Sequence, residues 1–297
     1  MKLIIDTDIG DDYDDIVTLA VALASPELDI LGVTTVVGDS TLRARLTRRF
    51  LNLAGREDIP VAVGATLRTG APFTHRRWAR GGPEPDADEM QALDFLLQQI
   101  AANPGQVTLL AIGPLTNLAA ALERDPATFR QLQRIVLMGG SVRRGYRDLA
   151  WHGGGKPSAE YNILSDVKSA QLVFEAGVPL SVAPLDATMV VLDEVKRQFI
   201  FTRSTPITDA LALTYLQWSG AAGRPTPILF DTAALAFALD PSMFKVERLR
   251  LMVDDQGHTR EVEGPPNAEV CLDCDEDRFH RWLMPRLVGR DGGAGPG

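Results

Sequence analysis

Short apolar runs recur along this chain, each followed by a longer stretch of helical period, and that alternation limits it to one kind of architecture. Leu3-Ile4-Ile5 precedes a helical pattern over Ile16 to Leu23, Ile30 to Val37 precedes one from Thr41, and Val61 to Val63 precedes one near Met90 to Ile100. The rhythm continues with Val107 to Ile112 before a helix from Leu115, Ile135 to Met138 before a helix near Val167 to Glu175, and then Leu180 to Pro184. Strands separated by helices imply a mostly parallel sheet covered on both faces, a three-layer α/β/α fold. In such folds ligands bind beyond the carboxyl ends of the strands. No internal repeat or linker divides the sequence, so residues 1–289 read as one domain. The last residues, 290–297, lie in a Gly-rich stretch that reads as a disordered tail.

The first strand runs into DTDIGDDYDD, where six of the ten residues from Asp6 to Asp15 are aspartates. Like charges held this closely repel unless protons or a cation neutralise them, and a divalent metal is the economical answer. An EF-hand is excluded, because its loop joins two helices and closes on a glutamate at position twelve, which counted from Asp6 is Val17.

The 297 residues are 45% hydrophobic and 23% charged, enough to bury a large core. A net charge of −9 without any long basic run argues against a nucleic-acid partner and favours small-molecule chemistry. Met1-Lys2 leads directly into a strand without a signal peptide, and no apolar stretch is long enough to span a bilayer. A cytoplasmic protein without a membrane partner is therefore expected. The only cysteines, Cys271 and Cys274, match half of a redox or zinc site, but strand alternation sends them to opposite faces and no second pair completes a tetrahedron. Both are expected as buried or free thiols.

Two stretches break the rhythm. Thr69 to Asp88 and Val142 to Pro157 are rich in Gly, Pro, Arg and Trp and read as functional loops or lids, with Trp78 and Trp151 as aromatics hard to assign to a core.

Asp6-Thr7-Asp8 after an apolar strand has a superficial match in the haloacid-dehalogenase-type magnesium phosphatases, where Asp6 would be the nucleophile. Gly10 and the four further acids depart from that pattern. A fuller match exists. DTDIGDDYDD resembles the N-terminal signature of the inosine-uridine-preferring nucleoside hydrolases, in a variant with two extra residues before the final Asp pair. LLAIGPLTNLAAAL, IVLMGG, PSAEYNILSD, ILFDTAALAFALDP and VCLDCDEDRF resemble that family's further blocks in the same order, covering nearly the whole chain.

That resemblance implies a nucleoside hydrolase fold and hydrolysis of a ribonucleoside N-glycosidic bond, with a small-molecule nucleoside as the partner and a homodimer or homotetramer as the assembly. Breaking such a bond passes through an oxocarbenium-like state, which needs an activated water, a grip on the ribose and help for the departing base. By the resemblance, Asp8, Asp15, Asp231 and the backbone carbonyl of Ile112 would hold Ca²⁺, and Asp8 would take the proton of the attacking water. Asp14, Glu160 and Asn162 would hold the ribose hydroxyls, the first alternatively supporting the metal and the other two alternatively capping a loop. Asp6 and Asp12 would support the ligands. Asp39 falls where the family often has Asn near the pocket. Tyr215 and Trp218, three apart on one helix face, would stack on the base or pack in the core.

Three departures bear on the base. Phe230 occupies the position before Asp231 where the family commonly has a proton-donating His. Arg80-Gly81 replaces a His-Gly, and the Asn ahead of Glu160 is replaced within Gly153 to Gly155. His152 and His75 lie in loops that could supply a substitute donor. A homologue that binds nucleoside or ribose without turnover is the remaining alternative.

Overall fold

The computed structural model describes residues 1–67, 70–84, 90–146 and 155–289. Ten strands are described: β1 (Lys2–Thr7), β2 (Asp29–Thr35), β3 (Val61–Val63), β4 (Val107–Ala111), β5 (Arg134–Met138), β6 (Leu180–Ala183), β7 (Phe244–Leu249), β8 (Leu251–Val253), β9 (Thr259–Glu261) and β10 (Ala268–Cys274). Eight form one sheet in the order β3-β2-β1-β4-β5-β6-β10-β7, while β8 and β9 make a separate antiparallel pair. Every neighbouring pair from β3 across to β10 is parallel, and only the edge strand β7 runs antiparallel to β10.

The central strands are apolar on both faces because both faces are covered. In β1, Leu3 and Ile5 belong to one core cluster and Ile4 to the other, and in β5 Val136 and Ile135 divide in the same way. Helices Asp14–Leu23, Ser40–Leu53 and Phe230–Leu239 fill the first cluster, while Ala92–Ala102, Thr116–Arg124 and Val167–Phe174 fill the second. The three-layer, mostly parallel arrangement expected from the alternation is the one observed.

Two boundaries moved for local reasons. The second strand stops at Thr35 rather than Val37, since Val37 and Gly38 both take positive φ, 68° and 62°. A β-branched residue there is strained, and this corner is held from outside. The 69–88 stretch contains the short helix Arg76–Ala79, which turns Trp78 inward against Phe50, ring centres 6.4 Å apart, with Arg49 over the indole. Trp78 is thus a core residue and not an aromatic kept free for a ligand. Cys271 is buried and Cys274 partly exposed, and both are free thiols. Among the described residues no helix is long and apolar enough to cross a membrane.

Candidate active site

From β1 the chain builds outward through β2 and β3, then returns to place β4 on the other side of β1. The crevice at this reversal opens beyond the carboxyl ends of β1 and β4, where Asp6 pairs with Ala111 and Asp8 and Ile112 follow. The loop after β1 is fixed by Arg43, a guanidinium only 1% exposed. Its Nε donates to the Val37 carbonyl at 2.8 Å, and Nη1 donates to those of Ile9, at 2.9 Å, and Asp8. Gly10 bends the loop with φ +125°, and a Cβ there would lie 2.6 Å from the Phe73 ring. With its carbonyls tied to Arg43, the loop is held as a rigid shelf from which Asp8, Asp11 and Asp12 line the cleft.

Helix Asp14–Leu23 begins where that loop ends, and helix Phe230–Leu239 begins beside it. Asp14 and Asp15 occupy the first turn of one and Asp231 the first turn of the other, where the helix dipoles favour negative charge. The two helices are joined by a buried Thr18–Thr232 hydroxyl contact of 2.9 Å and by the Asp231 N–H donating to Asp14 Oδ2 at 3.1 Å. Thr7 donates to Asp15 Oδ1.

Oxygens of Asp14, Asp15 and Asp231 lie within 4.8 Å of one another, and all three residues are buried. Burial first, and then repulsion from nearby carboxylates (Asp12 and Asp8 at Asp14, Asp8 and Asp14 at Asp15, Asp14 and Asp15 at Asp231), push all three carboxyls well above the usual range. Asp8 is pushed up to about 6 by burial, the nearby Arg43 pulling it back. Carboxylates that raise one another's pKa at the ends of two helices suit a hard divalent cation, which would replace the protons. The donor set therefore fits a metal ion. Asp14, assigned above to the sugar, stands inside this trio, whereas Asp8 lines the same cleft beside it.

The cleft over the carboxylates measures about 430 Å³. Glu160 and Asn162 line it as well. Glu160 is also the N-cap of helix Tyr161–Ser165, its carboxylate accepting N–H bonds from Asn162 at 2.9 Å, Ile163 at 3.2 Å and Gly140 at 3.0 Å. Capping and cleft placement coincide in this residue. Burial lifts its carboxyl to about 7 despite those donors. Asn162 Nδ2 donates to the Met138 carbonyl at 3.2 Å. Ile112, Met138, Leu185 and Phe230 supply an apolar lining.

Other residues singled out from sequence lie elsewhere. Asp6 is fully buried, accepts from Asn117 at 2.7 Å and from Thr34, and is absent from the cleft lining; burial lifts it to about 7. The nucleophile of the phosphatase reading is thus closed off. Asp39 is exposed, caps helix Ser40–Leu53 through Leu42 N at 3.0 Å and pairs with Arg76 at 3.3 Å, so its carboxylate serves the helix and not the described cleft. Tyr215 and Trp218 pack around Tyr13, with ring centres 5.8 and 6.2 Å away; neither is among the described lining residues, but Trp218 also donates a hydrogen bond to Asp12, which is. His75 is buried with Nε2 3.1 Å from the Thr214 carbonyl and is not among the described lining residues; burial lowers it to about 4. His152 and Trp151 lie outside the described residues.

Four residues were missed from sequence. Arg43 shares the buried face of its helix with Thr47 and Phe50, a spacing that could have revealed it. Asp186 accepts N–H bonds from Val142, Arg143 and Arg144 at 2.8 to 3.0 Å and thereby fixes the segment leading to Tyr146. Tyr146 lines the cleft with its ring edge-on to Phe230, centres 6.3 Å apart. Arg224 also lines it. Nothing in the local sequence marks the last three.

A parallel sheet whose reversal point delivers buried carboxylates to a cleft of about 430 Å³ defines an α/β protein with an acidic site able to hold a metal ion. The family model for the inosine-uridine preferring nucleoside hydrolases matches residues 3–281. A probable uridine nucleosidase 2 from Arabidopsis thaliana is 37% identical over 97% of each chain, and a pyrimidine-specific ribonucleoside hydrolase from Citrobacter koseri is 32% identical over 97% of this chain and 98% of its own. Among solved structures, a plant nucleoside hydrolase superposes with a TM-score of 0.84 at 28% identity, covering 97% of this chain and 99% of its own. A purine-preferring ribonucleoside hydrolase from Gardnerella vaginalis gives 0.83 at 25%, covering 97% and 98%. The chain belongs to the inosine-uridine preferring nucleoside hydrolase family and is an N-ribohydrolase.

Proposed function

We propose that this enzyme hydrolyses ribonucleosides with Ca²⁺ held by Asp8, Asp15, Asp231 and the Ile112 carbonyl. The observation that carries the reading is the buried convergence of the Asp14, Asp15 and Asp231 oxygens within 4.8 Å beside Asp8. Oxygen-only donors favour calcium over softer ions. When bound, the cation supplies positive charge that acidifies and orients water.

The chain's own residues do the rest. Asp8 takes a proton from the water that attacks C1′. Asp14, Glu160 and Asn162 hold the ribose hydroxyls, since carboxylate acceptors grip paired hydroxyls strongly. The apolar wall of Ile112, Met138 and Leu185 keeps bulk water from the sugar. Relatives named for pyrimidine and for purine substrates are both similar to this chain, so either base class suits the reading. A reducing-sugar assay with uridine and inosine, run with calcium and with EGTA, tests it: ribose release that needs calcium is expected, and release unaffected by EGTA overturns the metal assignment.

We further infer a cytoplasmic oligomer of two or four copies. Val195, Phe199, Leu213 and Leu216 are exposed on two adjoining helices and would suit a subunit contact. Light scattering reads the assembly directly.

A further inference from the structure

Phe230 leaves the departing base without the proton donor that a histidine would provide there, and the described part of the cleft is lined by seven carboxylates. A base that takes the bonding electrons into such surroundings is repelled by the carboxylates that line it. The single cationic side chain among the described lining residues is Arg224. Helix Pro206–Ala222 ends at Gly223, whose φ of +64° turns the next residue back toward the cleft. The Arg224 guanidinium then lies over the Trp218 indole, 5.2 Å from the ring centre, and its Nη2 stands 3.7 Å from Asp12 Oδ2, too far for a hydrogen bond. Its Nη1 is buried with no partner among the described residues. The side chain as a whole is 25% exposed, so N–H groups of the fork other than Nη1 stay open to an occupant of the cleft.

We propose that Arg224 is the catalytic residue that accepts the negative charge developing on the departing base. The proposal rests on the N-ribohydrolase reading above. The water oxygen bonds to C1′ as the C1′–N bond breaks, the base nitrogen keeps the bonding pair, and Asp8 receives the water proton. The base leaves as an anion hydrogen-bonded to Arg224 and is protonated by solvent after release, while Asp8 returns its proton to solvent. Arginine stays charged throughout, so it contributes charge and N–H bonds but no proton. Preorganised donors aimed at developing charge are the strongest single contributors in many active sites. The surrounding carboxylates disfavour a phosphate as the intended occupant, since two or more charges would enter where only one cation waits.

The test compares wild type with Arg224→Gln and Arg224→Lys on two substrates: p-nitrophenyl riboside, whose phenolate needs no help to leave, and whichever of uridine and inosine wild type cleaves faster. Arg224→Gln should lower kcat on the nucleoside by about 100-fold or more while changing p-nitrophenyl riboside turnover by less than about threefold. Arg224→Lys should recover about tenfold of the nucleoside loss, because it restores the charge without the fork. Inhibition by free ribose should be the same in all three, and thermal melts should coincide. Equal losses on both substrates would show that Arg224 merely positions Asp12 and Trp218, and an unchanged nucleoside rate would also overturn the proposal. Wild type inactive on both substrates overturns the hydrolase reading itself, an outcome distinct from either.

Discussion

Stripping divalent cations from this protein should make its stability fall as pH rises, the reverse of what a buried histidine does. The oxygens of Asp14, Asp15 and Asp231 lie within 4.8 Å of one another. At an effective dielectric of about 20, each ionised pair at that distance costs roughly 3.5 kcal/mol, and three pairs cost roughly 10 kcal/mol. That rivals the whole stability of an ordinary domain, roughly 5–15 kcal/mol, so the metal-free fold must retain protons that the unfolded chain gives up. Groups raised in the folded state stabilise below their unfolded pKa, and that contribution disappears as pH climbs through the folded value. Each retained proton then removes about 1.4 kcal/mol per pH unit. His75, lowered to about 4 by burial, acts in the opposite sense: its contribution is complete above its unfolded pKa and is lost as pH falls toward 4. The window from about pH 6.5 to 8 therefore isolates the carboxylates from His75. Asp6 and Glu160, each raised to about 7, add to the same downward slope. One proton retained by the trio across this window amounts to about 2 kcal/mol, or about 4 °C in Tm for a chain of this size. Calcium at a hundred times its Kd should add about 2.7 kcal/mol and flatten the slope. Differential scanning fluorimetry with EGTA or calcium reads both. An EGTA curve that is flat or rising across the window, or one indistinguishable from the calcium curve, would refute the reasoning.

Asp8→Asn should lower kcat by on the order of 100-fold with a smaller change in KM, as expected for the loss of positioned proton transfer, whereas Asp14→Ala should weaken inhibition by free ribose as well as turnover. Steady-state kinetics separates the two. Because Phe230 donates no proton, wild type should cleave p-nitrophenyl riboside faster than inosine or uridine, and Phe230→His should narrow that gap; equal wild-type rates would mean that an acid is already present. Asp186→Ala strips the acceptor from three backbone N–H groups and should destabilise by about 3 kcal/mol, seen as a lower urea midpoint.

The sheet was legible from β1 to β6 because each of those strands is buried on both faces and followed by a helix, so the local pattern carries the tertiary arrangement. Beyond Pro184 that link breaks: β10 pairs with β6 and β7 with β10, an order that no local periodicity encodes. The carboxylate floor was legible because repulsion makes such a run of aspartates implausible without a neutralising partner. Residues serving the site from a distance were hardly legible, apart from the helical spacing that sets Arg43 on a buried face. Arg43 and Asp186 act by holding backbone groups far away in sequence, and neither belongs to a motif. Aromatics were the least readable. Trp78 lies in an irregular stretch, yet that stretch folds back onto Phe50, and Tyr215 and Trp218 share a helix face that turns toward Tyr13. Asp39 was legible in another role. Its position before Ser40-Thr41-Leu42 is an N-cap pattern, and its side chain performs that task.

The arrangement of charge explains why Phe230 need not disable the enzyme. Carboxylates at the strand and helix ends are suited to gather positive charge, whether from a metal ion or from an oxocarbenium-like sugar, and they oppose a departing anion. Family members with a donating histidine before the last metal aspartate avoid that conflict by neutralising the base as it leaves. Here the same position is apolar and meets the edge of Tyr146, so no proton comes from that side chain. Among the described lining residues, Arg224 is the one fixed cation that can oppose the repulsion. Arg224 lines the cleft, Asp12 and Trp218 restrain its guanidinium, and one of its N–H groups is left without an acceptor among the described residues. A proton donor and a fixed charge differ in what they demand of the substrate. The donor tolerates a poor leaving group, whereas the charge helps in proportion to how well the base itself spreads an electron pair. Substrate preference in this chain should thus follow the stability of the base anion more steeply than it would with histidine at position 230.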